Sequence, residues 1–253
     1  MTVPPPNRLL AGGHNFRDLG GYTNRHGQTV ARGRVFRSGL LTHLTDDDHQ
    51  VMNDLGIRVI CDLRTTKERA ARPSRLPRAP AFAVWERDHV SSTADLVSRM
   101  AKPGFGGDDT RHMMTDLYRE LAYEQAPSYK AIFEKLSQGE LPLVFHCSAG
   151  KDRTGIAAAL VLTALGVPYD TVRQDFLLSN GAPGMETLAG SLSPGLNRLP
   201  PDVAAPLIGV EGVYLDNAFE QLRKDYGSVE GYMQQELGVG PGEIAALRKR
   251  MLD

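Results

Sequence analysis

One stretch in the second half of the chain constrains the fold more than any other, because it joins a short apolar run to a longer one through a polar loop. The spacing predicts a buried strand over residues 141–146 and a helix over residues 153–165 that Gly166 ends. A loop that leads from a strand straight into a helix presents its backbone N–H groups at the positive end of the helix dipole. The sequence therefore predicts an anion-binding loop at residues 146–155.

Strand and helix signals alternate through the rest of the chain. Further strands are predicted at residues 34–37, 57–63 and 81–85. Helices are predicted at residues 45–55, 65–72, 115–136, 168–178, 213–225, 229–237 and 242–252, and Pro127 is expected to break or kink the third of these. This alternation predicts an α/β fold, with helices on both sides of a central, largely parallel sheet. The length of 253 residues suits one α/β domain, so we expect residues 1–253 to form a single domain.

Two segments lack regular apolar spacing. Residues 102–110 are rich in Gly and Asp, which predicts a mobile loop. Residues 181–212 contain many Gly, Pro and Ser residues and follow the anion-binding loop along the chain. We expect this second segment to form a flexible lid over the site.

Composition excludes several classes of partner. The formal net charge of -1 comes from 29 basic and 30 acidic residues, so no overall field favours nucleic acid or an anionic membrane surface. We expect a cytoplasmic protein with no stable membrane anchor, because the N-terminus lacks signal-peptide features and no apolar run approaches the roughly 18 residues of a membrane span. Two cysteines, Cys61 and Cys147, are too few for a disulfide scaffold. The seven histidines lack metal-ligand spacing, so no metal site is expected.

The loop residues Cys147 and Arg153 carry the predicted chemistry. Their spacing lets the backbone wrap around one tetrahedral anion while Arg153 enters the first turn of the helix. A guanidinium is a planar fork that binds two oxygens of a phosphate at once. A helix N-terminus and a nearby Arg favour the thiolate form of a cysteine. Cys147 is therefore the candidate nucleophile, and Arg153 is the candidate phosphate ligand.

The neighbouring loop residues are assigned supporting roles. We expect His146 to orient the cysteine backbone, Thr154 to donate its hydroxyl to the sulfur, and Gly150 to permit the turn. Six positions are assigned to phosphate or substrate binding: Ser148, Ala149, Gly150, Lys151, Asp62 and Arg64.

A leaving alkoxide or phenoxide needs a proton from a nearby carboxylic acid. Asp152 lies within the loop and is the first candidate. Asp62, at the end of a predicted strand, and Asp88, just beyond Trp85, remain alternatives at this stage.

The motif His146-Cys-Ser-Ala-Gly-Lys-Asp-Arg-Thr-Gly155 resembles the Cys-x5-Arg signature of protein tyrosine phosphatases. The chain is similar to the atypical bacterial tyrosine and lipid phosphatases, the group typified by mycobacterial protein tyrosine phosphatase B. Besides the loop, the likeness includes Asn15-Phe-Arg-Asp-Leu19, Arg37-Ser38, Leu55-Gly-Ile57, Asp62-Leu-Arg64, residues 175–180 and residues 226–232.

This resemblance implies a phosphatase sandwich with a four-stranded parallel sheet core, a helical lid insertion and no cofactor. It implies that Cys147 is the nucleophile, that Arg153 binds phosphate and that Asp152 is the acid. Substrates would be phosphotyrosine proteins, with broader phosphoserine and phosphothreonine activity, and inorganic phosphate would be product or inhibitor. Lys151 resembles the lysine of phosphatases that also accept phosphoinositides. One departure from conventional tyrosine phosphatases is that no Trp-Pro-Asp acid loop follows Trp85.

Other interpretations compete with this one. The same loop could serve a catalytically silent module that binds phosphoproteins or phosphoinositides. Sulfur transfer usually needs a different loop, and arsenate reduction needs more shuttling cysteines than this chain has. A nucleotide-binding P-loop is excluded, because Phe145 and Asp152 stand where that motif needs Gly and Ser or Thr. Cys61 is interpreted as a core residue, with a protective disulfide to Cys147 as the alternative.

Overall fold

A five-stranded sheet forms the centre of the computed structural model, which describes residues 10–77, 82–90, 100, 104–192 and 195–253. The strand order is β1-β2-β5-β3-β4. The strands are β1 (Arg17–Asp18), β2 (Val35–Ser38), β3 (Val59–Asp62), β4 (Ala83–Glu86) and β5 (Leu143–His146). Four strands are parallel, and β1 pairs antiparallel with β2 at the edge. The predicted α/β class and four-stranded parallel core are therefore confirmed, with one antiparallel strand added.

The central position of β5 explains its unbroken apolar sequence. Every residue of β5 is buried, and β2 and β3 flank it, with Ser38 and Asp62 both in register with His146. A strand covered on both faces needs apolar residues pointing both ways. The carboxyl ends of three parallel strands thus meet where β5 runs into the loop.

Helices cover both faces of the sheet. They are α1 (Asp46–Asp54), α2 (Thr66–Ala71), α3 (Gly107–Glu124), α4 (Ala126–Gln138), α5 (Arg153–Ala164), α6 (Tyr169–Leu177), α7 (Met185–Leu192), α8 (Pro201–Ile208), α9 (Gly212–Tyr226), α10 (Val229–Leu237) and α11 (Pro241–Met251). The larger apolar cluster includes Phe145 and α5, and the smaller one includes Val144 and Met52 of α1. Because Val144 and Phe145 alternate along β5, the two clusters lie on opposite sides of the sheet.

Local signals in the sequence account for several helix boundaries. Thr45 and Thr65 each close a capping box, with Asp48 and Glu68 respectively. The predicted break near Pro127 is present, since α3 ends at Glu124 and α4 begins at Ala126. Proline fits there because the first turn of a helix does not need its missing N–H.

The predicted loop at residues 102–110 is wrong in its second half, because α3 already begins at Gly107. The side chain of Asp109 accepts a hydrogen bond from Gly106 N (2.8 Å), so an aspartate taken as a loop signal completes a helix N-terminus instead. Residues 101–103 lie outside the described residues.

The lid segment is more regular than its composition predicts. Between Gly181 and Gly212 the chain forms α7, a short 3-10 helix at Leu196–Arg198, and α8. Residues 193 and 194 lie outside the described residues. Helix α7 packs Met185 and Leu188 against Leu40 beside the loop, so an apolar contact stabilises helix here despite the Gly and Pro content.

Cys61 is buried in the larger cluster with a free thiol, which is the predicted core position. No helix in the described part of the chain is both long and apolar enough to cross a membrane. Within the same ranges, no group of three or more His, Cys, Asp or Glu side chains could hold a metal ion.

Candidate active site

The loop between β5 and α5 folds tightly around the sulfur of Cys147. The amide of Gly150 donates to Cys147 Sγ (3.3 Å), and the thiol is buried. Gly150 has φ of +72°, and a Cβ there would lie 2.5 Å from the amide nitrogen of Gly39. Only glycine fits this position, because both the left-handed backbone and the contact with the neighbouring loop exclude a side chain.

Arg153 is held at the start of α5 by a carboxylate that the motif does not contain. Its Nη1 donates to Glu68 Oε2 and its Nη2 donates to Glu68 Oε1, both at 2.7 Å. A further bond joins Arg153 Nη1 to the carbonyl of Leu63 (3.2 Å). Burial alone would lower the pKa of Arg153, but Glu68 and Cys147 raise it above its ordinary value. The guanidinium is therefore a fixed cation beside the sulfur.

Glu68 itself is fixed by contacts at both ends of the loop between β5 and α5. Besides Arg153 it accepts the hydroxyl of Ser148 (2.5 Å), and its Oε2 accepts the amide of Thr65 (2.8 Å). Burial alone would raise the pKa of Glu68, but the hydrogen bonds and charge of Arg153, with those of Ser148 and Thr65, hold it well below its usual range. Glu68 is thus an anion that ties Ser148 to Arg153.

Sequence reasoning missed Glu68 as a site residue. The pattern Thr65-x-x-Glu68 is a capping box and marks the start of α2, and it gives no hint of a contact with the loop. Arg153 lies 85 residues away along the chain, so the contact depends on the sheet bringing the end of β3 beside the end of β5.

Asp152, the first candidate for the acid, is the last loop residue before α5. Its Oδ1 accepts the hydroxyl of Tyr118 (2.7 Å) and the ammonium of Lys151 (2.8 Å). The Asp152 side chain is 22% exposed, whereas that of Lys151 is 6% exposed. Asp152 is also the N-cap residue of α5, yet its side chain makes no capping hydrogen bond.

The two alternative acids have partners elsewhere. Asp62 binds Arg64 (2.6 Å) and lies 3.5 Å from His146 Nε2. Arg64 also donates to the carbonyl of Arg72, so this pair organises the β3–α2 connection. The use of Asp62 and Arg64 in substrate binding stays a prediction.

Asp88 lies at the surface next to α2. Its carboxylate is 85% exposed and binds Arg69 (2.6 Å), and it accepts the hydroxyl of Thr66 (3.1 Å). Of the three candidate acids, only Asp152 lies in the loop that contains Cys147.

The remaining loop residues anchor the loop to its surroundings. His146 Nδ1 lies 3.4 Å from the carbonyl oxygen of Cys147, in keeping with an orienting role. The Thr154 hydroxyl is 3.5 Å from the Ser38 carbonyl, and its predicted bond to the sulfur stays a prediction. Ala149 packs beneath the lid beside Leu40.

Lys151 links the loop to the base of the lid. Its ammonium donates to the carbonyl of Gly209 (3.3 Å), where α8 ends. The next residue, Val210, exchanges two hydrogen bonds with the Asn180 side chain, at 2.8 and 2.9 Å. The bonds between Asn180 and Val210 therefore join the two ends of the lid segment. Lys151 contacts the lid segment beside this junction.

A buried charged cluster supports the loop from behind. The carbonyl of Gly150 accepts Arg37 Nη2 and Asn15 Nδ2, both at 2.9 Å. Asp175 binds Arg37 (2.7 Å) and Arg17 (3.2 Å). Burial alone would raise the pKa of Asp175, but the two arginines hold it below its ordinary value. The cluster fixes the carbonyl of the same residue whose amide faces the sulfur.

The fold and the loop together have the arrangement that the resemblance to Cys-x5-Arg phosphatases implies. A parallel sheet ends in a loop in which a backbone amide donates to a cysteine sulfur, and a guanidinium fixed by Glu68 stands at the N-terminus of the helix that follows.

Comparison with known sequences gives the family. The model described as "Tyrosine phosphatase family" matches residues 9–253, and the chain belongs to this family. A protein of Cupriavidus necator named "Putative tyrosine-protein phosphatase" is 32% identical, over 94% of this chain and 85% of that protein. The "Triple specificity protein phosphatase PtpB" of Mycobacterium tuberculosis is 29% identical, over 97% of this chain and 99% of that protein. A "Tyrosine-protein phosphatase" of Nostoc commune is 31% identical, over 85% of this chain and 73% of that protein.

Proposed function

We propose that the chain, acting as one catalytic domain, hydrolyses phosphomonoesters without a metal through a phosphate bound covalently to Cys147. The observation that carries the proposal is the position of Cys147 Sγ, which accepts the Gly150 amide at the base of a loop whose last member is Arg153. Amides and a guanidinium that converge on a thiol are suited to a phosphoryl dianion, because they stabilise the charge on its oxygens.

The first half of the reaction transfers the phosphoryl group. The Cys147 thiolate attacks phosphorus while the bond to the ester oxygen breaks, and Arg153 binds two non-bridging oxygens. The leaving oxygen takes a proton from Asp152, which becomes a carboxylate. The loop geometry supports this assignment, since Asp152 precedes Arg153 directly and its side chain is partly exposed to solvent.

The second half releases the phosphate. A water molecule gives a proton to the Asp152 carboxylate and its oxygen attacks phosphorus, so that the bond to sulfur breaks and the thiolate returns. Inorganic phosphate is the product, and the same loop contacts make it an inhibitor. Asp152 ends the cycle protonated, as it began.

The proposed substrates are phosphotyrosine proteins, with phosphoserine, phosphothreonine and phosphoinositides as further substrates. Two observations support the broader range. The relative PtpB carries the name "triple specificity" and is similar over nearly the whole chain. Lys151 adds a second cation directly beside Asp152, and an inositol ring with another phosphate offers it an anionic partner.

The decisive experiment compares the two cysteines. With p-nitrophenyl phosphate and a chelator present, we expect Cys147→Ser to abolish turnover while inorganic phosphate still binds in calorimetry. Cys61→Ser is the matched control, because Cys61 is also buried and free but lies in the core. Turnover that survives Cys147→Ser contradicts the mechanism. A wild-type protein that binds phosphate and hydrolyses no monoester supports the silent binding module.

A further inference from the structure

We propose that Tyr118 is a positioning residue for the proton donor, and that it holds one oxygen of Asp152 so that the other oxygen carries the proton to the leaving group. This inference rests on the proposed function, in which Asp152 is the acid. Tyr118 lies on α3, far from the loop in sequence, and nothing in the loop motif includes it.

The contacts of Asp152 differ from those of an ordinary N-cap aspartate. An N-cap side chain usually accepts the amide of the second or third helical residue. Asp152 makes no such bond, and its Oδ1 accepts Tyr118 and Lys151 instead. Both donors reach the same oxygen. Within the described residues, no hydrogen bond reaches Oδ2, which leaves that oxygen available to hold and transfer a proton.

Tyr118 has the rigidity that positioning requires. Its side chain is fully buried, and its ring packs edge-on against Phe176 with centroids 5.7 Å apart. Tyr214 packs against the same ring at 5.4 Å. Burial and the neighbouring Asp152 charge raise the pKa of Tyr118 well above its ordinary value. The hydroxyl therefore stays protonated and stays a donor at every pH at which a phosphatase works.

A tyrosine hydroxyl suits an acid that must change its protonation state. When Oδ2 carries the proton, Oδ1 is a carbonyl oxygen and still accepts a hydrogen bond from Tyr118. After Oδ2 has given its proton to the leaving oxygen, Oδ1 is a carboxylate oxygen and accepts the same bond. Tyr118 keeps its own proton in both states.

The test compares leaving groups in Tyr118→Phe. The leaving oxygen of phenyl phosphate needs a proton, whereas that of 2,4-dinitrophenyl phosphate departs as the anion. We expect kcat/KM for phenyl phosphate to fall about tenfold, a fraction of what a complete acid contributes, and kcat/KM for the dinitrophenyl ester to change less than about twofold. Folding should persist, because the substitution removes one hydroxyl and Lys151 still donates to Asp152.

Two further variants make the result specific. Tyr232→Phe also deletes a buried hydroxyl, one that donates to the carbonyl of Ala122, and it should leave the ratio between the two esters unchanged. In a background of Asp152→Asn, adding Tyr118→Phe should cause no further loss on phenyl phosphate. An equal loss on both esters, no loss on either, or additive losses in the double variant would each overturn the role of Tyr118. Turnover by Cys147→Ser would instead overturn the proposed function.

Discussion

Two carboxylates bind arginines at the loop between β5 and α5, and they do so in opposite surroundings. Asp175 lies behind the loop, with its side chain 2% exposed, and binds Arg17 and Arg37. Glu68 lies in front of the loop, with its side chain 31% exposed, and binds Arg153. Both pairings are charge-assisted and short, yet only the second involves an arginine that is proposed to bind substrate.

The difference in burial separates structural from functional ion pairs. A buried carboxylate that loses its charge leaves its arginines without a partner and without water, which is costly. A partly exposed pair costs less to break, because water reaches it, screens its charges and replaces some of its hydrogen bonds. Asp175 is therefore expected to determine whether the loop folds. Glu68 is expected to determine the orientation of the Arg153 guanidinium. Three predictions test this contrast.

The largest effect on stability is expected for Asp175→Asn. The change leaves Arg17 and Arg37 buried without a counter-charge, so we expect the free energy of unfolding to fall by about 3–5 kcal/mol. Urea unfolding at neutral pH measures it. Asp46→Asn is the control, because Asp46 pairs with Arg75 at the surface and should give no resolvable change. An equally small change in Asp175→Asn would contradict the comparison.

A smaller effect on stability is expected when Asp175 loses its charge by protonation at low pH. The pKa of Asp175 is lowered in the folded state, so its contribution is complete above the unfolded value of about 3.9 and is lost as the pH falls through the folded value. The difference in the free energy of unfolding between wild type and Asp175→Asn should therefore narrow as the pH falls from 5 to 3. Unfolding of both proteins at the two pH values measures the gap. A gap that is equal at pH 5 and pH 3 would show that Asp175 is not the titrating group.

The loop itself and the contacts that support it differ in how far sequence reasoning could predict them. The loop was predictable because its features are local: an apolar strand, the Cys147 to Arg153 spacing and a helix that follows at once. The sheet class followed from the alternation of strands and helices. These properties depend on neighbours along the chain, which a sequence displays directly.

The contacts that support the loop were not predictable, because each depends on tertiary folding. Arg37 and Asp175 are 138 residues apart, and Tyr118 and Asp152 are 34 residues apart. The family resemblance pointed to Arg37 and to the segment that starts at Asp175, but nothing in the spacing shows that they touch. The lid illustrates the same limit. Its Gly and Pro content predicted irregular chain, whereas packing on Leu40 stabilises α7.

The smallest effect on stability, and the sharpest contrast with Asp175, is expected for Glu68→Gln. Glutamine can still complete the capping box with Thr65, so α2 should keep its N-terminus and the free energy of unfolding should change by less than about 1 kcal/mol. One oxygen and the negative charge are lost, however. The bidentate contact with Arg153 therefore becomes a single hydrogen bond from the guanidinium to an uncharged amide oxygen.

Arg153 should then sample several orientations, and kcat/KM for p-nitrophenyl phosphate should fall about tenfold, since a misplaced positioning group costs rate even where binding survives. Glu86→Gln provides the control, because Glu86 pairs with Arg69 outside the loop and should leave both quantities near their wild-type values. If Glu68→Gln destabilises the fold as much as Asp175→Asn, or leaves kcat/KM unchanged, then exposure does not separate the two pairs. In that case the carboxylate in front of the loop would be a structural support like the one behind it.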